Sequence, residues 1–161
     1  LVMAAGGLQS VNIPEGVISI EESGFRGCKK LTSIVFPESL TSIGNHAFRA
    51  CKGLTSVSLP QELTSMGEMA FGNCEELALI EIPSKLKSIE PYTFFNCKKA
   101  EIKLPESIKK IEEMAFGGIY YGENYYCKKV LIKKGAEFER IKALVTGNPC
   151  NYPADRVGEY E

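Results

Sequence analysis

Six cysteines, one histidine and one aspartate are the side chains of this 161-residue chain that could do distinctive chemistry, and their spacing limits what that chemistry is. Cys28, Cys51, Cys74 and Cys97 stand 23 residues apart, and Cys127 continues the series after a longer interval. Zinc needs clustered ligands at C-x-x-C or histidine-containing spacings, which these lack. Stacked one per repeat, they make a column with steps of about 4.8 Å. Their side chains then point the same way, whereas a disulfide requires converging ones. They read as buried thiols acting as small apolar fillers. Cys150 stands outside the column and could pair with Cys127 across the end of the stack in an oxidising compartment.

Acid–base chemistry is equally poorly supplied. His46 occupies a variable place whose equivalents are Met69 and Tyr92, and reads as a surface residue rather than a base. Asp155 is the single aspartate, so neither a paired-aspartate site nor an Asp-rich calcium loop can be assembled. Glu38, Glu62 and Glu106 recur in or near the turn after a proline, as solvated turn residues do. There is no G-x-S-x-G, no Walker-type loop, no G-x-G-x-x-G and no N-x-S/T acceptor. The sequence therefore predicts no catalytic residue, no metal ligand and no cofactor.

The elements that would carry these residues are set by the same period. Residues 8–30, 31–53, 54–76 and 77–99 are four writings of one 23-residue unit, and a fixed period of this size means stacked units that close one core together. Pro14, Pro37, Pro60, Pro83 and Pro105 each follow apolar residues two apart, such as Ile34 and Phe36, the spacing of one strand face. Proline ends the strand because it has no N–H to donate. A second short strand follows, with Ile20, Ile43, Met66, Ile89 and Ile111 inward. Phe25, Phe48, Phe71, Phe94 and Phe116 come next, in a segment compatible with one helical turn, and belong in the core. Each contributes roughly 1.5 to 3 kcal/mol by burial.

The pattern L-x-x-I-x-I-P, then S-I-G, then A-F-x-x-C resembles the BspA-like leucine-rich repeat family over residues 8–134. The resemblance implies an α/β right-handed solenoid of about five repeats, with a parallel strand ladder on one face, short second strands and single helical turns. It also implies a non-enzymatic module of a secreted or cell-surface protein, used in adhesion or recognition. Its partner would be a host protein of the kind found in extracellular matrix or plasma. A second reading stays open, a structural spacer or intracellular scaffold with no dedicated ligand in this segment.

Composition fits one ordinary domain: 44% hydrophobic residues and a formal net charge of -1 suggest neither a nucleic-acid partner nor membrane insertion. A monomer is expected. Residues 1–80 sum to -3 and residues 81–161 to +2, a shift driven by Lys98, Lys99, Lys103, Lys109, Lys110, Lys128, Lys129, Lys133 and Lys134. Interleaved with glutamates, these read as a solvated face, with a basic docking patch as the sharper alternative. Residues 1–7 are no signal peptide. Val2 and Ala5 fall one period before Phe25 and Cys28, so they read as a worn repeat, either a cap or the edge of a trimmed chain.

The later units depart from the pattern. One residue is lost after Cys97, where Lys99 and Ala100 replace the usual leucine, so the fifth unit is expected to sit askew. An insertion at residues 117–126 carries Tyr120, Tyr121, Tyr125 and Tyr126, either a binding loop or a cover for the open end of the stack. Residues 135–161 read as a capping helix, with Phe138, Ile141 and Val145 at helical spacing, followed by a mobile tail from residue 148 onward. Outward strand positions run from Ser10 and Asn12 through Ser33, Val35, Ser56 and Ser58 to Leu79, Glu81, Glu101 and Lys103. Leu79, Glu81, Glu101 and Lys103, with the four tyrosines, are the candidate protein-binding residues.

Overall fold

The computed structural model describes residues 7–120, 122–135, 137–147 and 152–161. Each unit supplies two short strands. In chain order these are β1 (Ser10–Asn12) and β2 (Ser19–Ile20), β3 (Ser33–Val35) and β4 (Ser42–Ile43), β5 (Ser56–Val57) and β6 (Ser65–Met66). β7 (Leu79–Glu81) and β8 (Ser88–Ile89), then β9 (Glu101–Leu104) and β10 (Lys110–Ile111), follow. The insertion forms β11 (Ile119–Tyr120) and β12 (Glu123–Asn124). The chain closes with β13 (Lys129–Lys133), helix α1 (Phe138–Thr146), a 3-10 turn at Ala154–Arg156 and β14 (Val157–Tyr160).

First strands stack in parallel into a seven-stranded sheet, in the order β1-β3-β5-β7-β9-β13-β14. Second strands make the ladder β2-β4-β6 and the pair β8 with β10. Residues one period apart face each other, as in Val11 with Ile34 and Ile43 with Met66. The product is a β-solenoid of about six turns with very little helix.

Two columns run through its interior. Phe25, Phe48, Phe71, Phe94 and Phe116 are fully buried, and their rings stack with planes within 10° of parallel. Centroid spacings are 5.1 and 5.2 Å for the first two steps and 6.0 and 6.2 Å for the next two, within the range of offset stacking. Beside them stand Cys28, Cys51, Cys74, Cys97 and Cys127, all buried.

The segment that leads into each phenylalanine is not a helical turn. Alternate amides donate to the next coil, Phe25 N–H to Ala47 O, Phe48 N–H to Ala70 O and Phe94 N–H to Ala115 O each at 2.8 Å, while those between close tight turns in their own coil, as Ala47 N–H does to Gly44 O at 3.3 Å. Donors committed across coils cannot also close a helix. Left-handed residues seal the difference, since His46 and Ala50 have φ of 56° and 61°, and Ser23, Met69, Tyr92 and Met114 repeat the first position. Adjacent coils run so close that a Cβ on Gly44 would lie 2.7 Å from the Glu22 nitrogen, which accounts for the glycine after Ile43.

The missing residue after Cys97 does not displace the fifth unit. Ala100 is buried where Leu31, Leu54 and Leu77 stand in earlier units, and its N–H donates to Cys97 O at 2.9 Å as Leu77 N–H does to Cys74 O at 3.2 Å. The shortening is absorbed before β9, which still pairs with β7 over three positions.

The end of the chain also differs from its expectation of mobility. Residues 152–161 are ordered, with β14 pairing in parallel with β13 over four positions. The backbone ladder suffices there without an alternating apolar pattern. Tyr152 is buried and meets Phe116 edge-on, at 5.9 Å and 77°, so it terminates the phenylalanine column. Its hydroxyl donates to Cys127 O at 3.0 Å. Helix α1 lies beside it with Ile141 and Val145 buried, held by Arg140, which donates to the carbonyls of Glu106 and Ile108 at 3.1 and 2.8 Å. Residues 1–6 and Cys150, with its possible pairing to Cys127, lie outside the described residues.

Candidate binding surfaces

The strand ladder carries one set of candidates. Ser10, Ser33 and Ser56 form one outward row that passes to Leu79 and then Glu101 through the register. Between β5 and β7 the pairing shrinks to a single position, Ser56 with Leu79, against three between β7 and β9. A cleft of about 340 Å³ opens there, lined by Val57, Ser58, Leu59, Gln61, Leu79 and Glu81. Ser58 offers its neighbour no apolar cross-strand contact, and the Glu81 carboxylate turns away to Lys103, 3.9 Å distant. Leu79 is 45% exposed at the edge of this cleft.

Glu101 and Lys103 are tied into the far end of the sheet. Lys128 meets Glu101 at 2.6 Å, which with hydrogen bonding holds that carboxyl below the usual range. Lys103 lies 5.0 Å from the centre of the Tyr160 ring. Other lysines of the basic half are likewise paired, Lys99 with Glu76 at 2.6 Å and Lys134 with Glu161 at 3.6 Å.

Among the described residues, Tyr120, Tyr125 and Tyr126 lie outside the strands of the ladder. Phe116 and Cys127 keep the bond of a normal unit, Cys127 N–H to Phe116 O at 2.9 Å against 3.2 Å for Cys97 and Phe94, so the insertion leaves the core as an antiparallel hairpin of β11 and β12. Tyr120 belongs to β11, and Tyr121 lies outside the described residues. Tyr125 stacks on Phe95 at 4.9 Å and donates its hydroxyl to Glu123 at 2.7 Å, which raises the tyrosine pKa. Tyr126 packs edge-on to Tyr152 at 5.6 Å. One hairpin tyrosine thus faces the linked turns and the other covers the end of the column.

Several residues on the turn side gave no signal singly. Arg49, Met69, Asn73, Tyr92 and Phe95 line a groove of about 260 Å³, and the sequence clue was only that repeat positions vary there while their neighbours stay fixed. His46 lies on this side too, half-buried. Asn96 is 7% exposed and donates Nδ2 to Asn73 Oδ1 at 2.9 Å.

The thiols are hydrogen-bond donors. Cys51 Sγ donates to Phe25 O at 3.0 Å, Cys74 to Phe48 O at 3.2 Å and Cys97 to Phe71 O at 3.1 Å. Burial pushes Cys51 and Cys97 each up to about 12 and Cys74 well above its ordinary value, so none is a poised nucleophile. Among the described residues, no three His, Cys, Asp or Glu side chains gather as a metal site would need. No described helix is long and apolar enough to cross a membrane.

A parallel ladder, a stacked aromatic column and surface clefts without a reactive group define a leucine-rich-repeat scaffold. The chain belongs to the BspA type leucine-rich repeat family, whose profile matches six copies over residues 3–121. It is similar to the crystal structure of a leucine-rich repeat protein of T. pallidum, with 29% identity and a TM-score of 0.69 over 81% of this chain and 60% of that one. It is also similar to a leucine-rich repeat protein of Eubacterium ventriosum, with 26% identity and a TM-score of 0.61 over 78% of this chain and 32% of that one. The chain thus spans less than two thirds of either relative. No curated protein sequence matches it significantly.

Proposed function

We propose that this chain is a non-enzymatic protein-binding module of a secreted or cell-surface protein, and that its partner docks on the strand ladder where β5 and β7 part. The observation that carries this is the cleft beside Leu79 and Glu81, where an apolar side chain is exposed next to a carboxylate on a rigid sheet. A rigid face limits the ordering cost of binding, and a repeat ladder is an extended surface suited to protein ligands. Glu101 and Lys103 flank this site. Family membership supports recognition of an extracellular-matrix or plasma protein in adhesion.

Surface plasmon resonance of the purified chain against extracellular-matrix and plasma proteins tests this. Leu79→Asp and Glu81→Lys should weaken any partner by about tenfold or more, while replacing residues 119–126 with a Gly/Ser link should leave it bound. Loss only in the link variant moves the site to the hairpin. The serine row Ser10, Ser33 and Ser56 gives little contact area and favours a spacer role for the first units. Binding to nothing by the folded chain would extend that role to the whole segment.

A further inference from the structure

The side of the solenoid built from linked turns carries a second surface, independent of the ladder reading. At the position after each phenylalanine of the column from Phe25 to Phe94 the chain has Arg26, Arg49, Gly72 and Phe95. Gly72 leaves a gap in that row which the Met69 side chain enters, lying where a Cβ on Gly72 would be. The groove between Arg49 and the rings of Tyr92 and Phe95 is the result. It continues through the Phe95–Tyr125 stack to Lys98, whose ammonium sits 5.6 Å from the Tyr125 ring centre. Lys98 then shares a second hollow, about 250 Å³, with Asn124, Tyr126 and Arg156. Arg156 lies 5.8 Å from the Tyr126 ring centre.

Setting marks this stripe: its cations share their hollows with aromatic rings, Arg49 with Tyr92 and Phe95, and Lys98 and Arg156 with Tyr126. Lys52, Lys85, Lys99, Lys103 and Lys128 all pair with glutamates. Arg49, Lys98 and Arg156 have no carboxylate partner among the described residues, a condition they share with Arg26, Lys29, Lys30, Lys87, Lys109, Lys129, Lys133 and Lys142, and Arg156 also donates to Cys127 O at 3.4 Å. The bordering carboxylates, Glu113 and Glu123, instead accept from the hydroxyls of Tyr92 and Tyr125 at 3.3 and 2.7 Å. Cations alternate with aromatic walls: guanidinium, Tyr92 and Phe95, ammonium, Tyr126, guanidinium.

We propose that this stripe binds an extended acidic peptide in which carboxylates alternate with apolar or aromatic side chains. The guanidinium fork takes a carboxylate through two parallel bonds, and a cation resting against a ring is held ready for one. The rings and Met69 supply the apolar contact between the charges. Arg49 and Phe95 are two repeats apart, roughly 10 Å, which an extended chain covers in about three residues. Three separated cations on a chain of net charge -1 suit sparse carboxylates better than a dense polyanion, whose binding relies on many neutralised charges.

Fluorescence anisotropy of a labelled peptide of alternating Glu and Leu with a central Phe tests this on the full chain. Its Gln-for-Glu counterpart and a sulfated polysaccharide are the comparisons. The acidic peptide should bind, weaken with salt, and exceed the Gln peptide by about tenfold or more. Arg49→Glu with Lys98→Glu should reduce that affinity by about tenfold or more at unchanged thermal stability, whereas Leu79→Asp should not alter it. Lys98→Glu alone, at an exposed position, must still weaken binding where the double variant does not fold. Equal affinity for the two peptides, undiminished binding by the charge variants, or binding of the polysaccharide alone overturns the proposal.

Discussion

The Cys51 thiol donates to the carbonyl oxygen of Phe25, 3.0 Å away in the preceding repeat, and that same oxygen accepts the Cys28 N–H at 3.2 Å. Both lone pairs of a buried carbonyl are thus used, one within its own coil and one by the next. Cysteine suits this place because it is small, apolar enough for the core and still a weak donor.

Cys74→Ala tests that role at the middle of the column. It removes the donor to Phe48 O and leaves a small void, so urea unfolding should show a loss of about 1–2 kcal/mol. Cys74→Val leaves no void but lacks the donor and overfills the site, and should cost at least as much. No loss in either variant would show the sulfur bond to be incidental.

The thiols also set a response to base. Their folded pKa values are raised, to about 12 for Cys51 and Cys97, against an unfolded value near the ordinary 9.0. Above that value the unfolded chain releases protons that the folded chain retains, so stability falls. The contribution is complete below about pH 9 and is lost as pH climbs toward 12, with a slope of about 1.4 kcal/mol per pH unit for each thiol. Denaturant midpoints measured from pH 7 to 11 should stay level and then drop, and a variant lacking Cys74 should drop less steeply.

Ala50 is a non-glycine residue at φ 61°, where Asn73 and Asn96 stand in later units and Gly27 in an earlier one. Ala50→Gly removes the Cβ from a left-handed position and should raise stability by about 0.5–1 kcal/mol. A thermal melt shifted upward is the expected readout, with the reverse effect for Gly27→Ala.

Tyr152 closes the last phenylalanine. Tyr152→Phe removes only the bond to Cys127 O and should cost about 1 kcal/mol. Tyr152→Ala exposes the Phe116 edge and should cost about 3–5 kcal/mol, with new binding of a hydrophobic dye. Equal losses in the two variants would assign the effect to the hydroxyl alone.

How far the sequence disclosed these features depends on whether they repeat. Phe25 to Phe116 and the cysteine column were legible because one physical requirement is written at one interval. Ala100 was misread as a break because burial depends on the place in the coil, which alanine fills as leucine does with less volume. Val157–Tyr160 was read as mobile because its pairing is made by backbone groups that no side-chain pattern announces. The linked turns were hidden because a short Ala-Phe segment suits a helix locally, and only the neighbouring coil claims every second amide. Among candidate residues, Leu79 and Glu81 could be placed outward by alternation, but the parting of β5 from β7 is a relation between strands. The Arg49 and Lys98 stripe needed the hairpin's position, which an insertion alone does not give.

Constant register also makes the solenoid a ruler. An extra 23-residue unit inserted in frame between Cys51 and Cys74 would add one more stacked ring and one more thiol bond. Everything beyond it would translate along the axis by about 4.8 Å. Arg49 would move away from Lys98 by that step while each kept its own surroundings. The separation between contact groups on such a chain is therefore a quantity that changes in whole units, without the interior having to be solved anew.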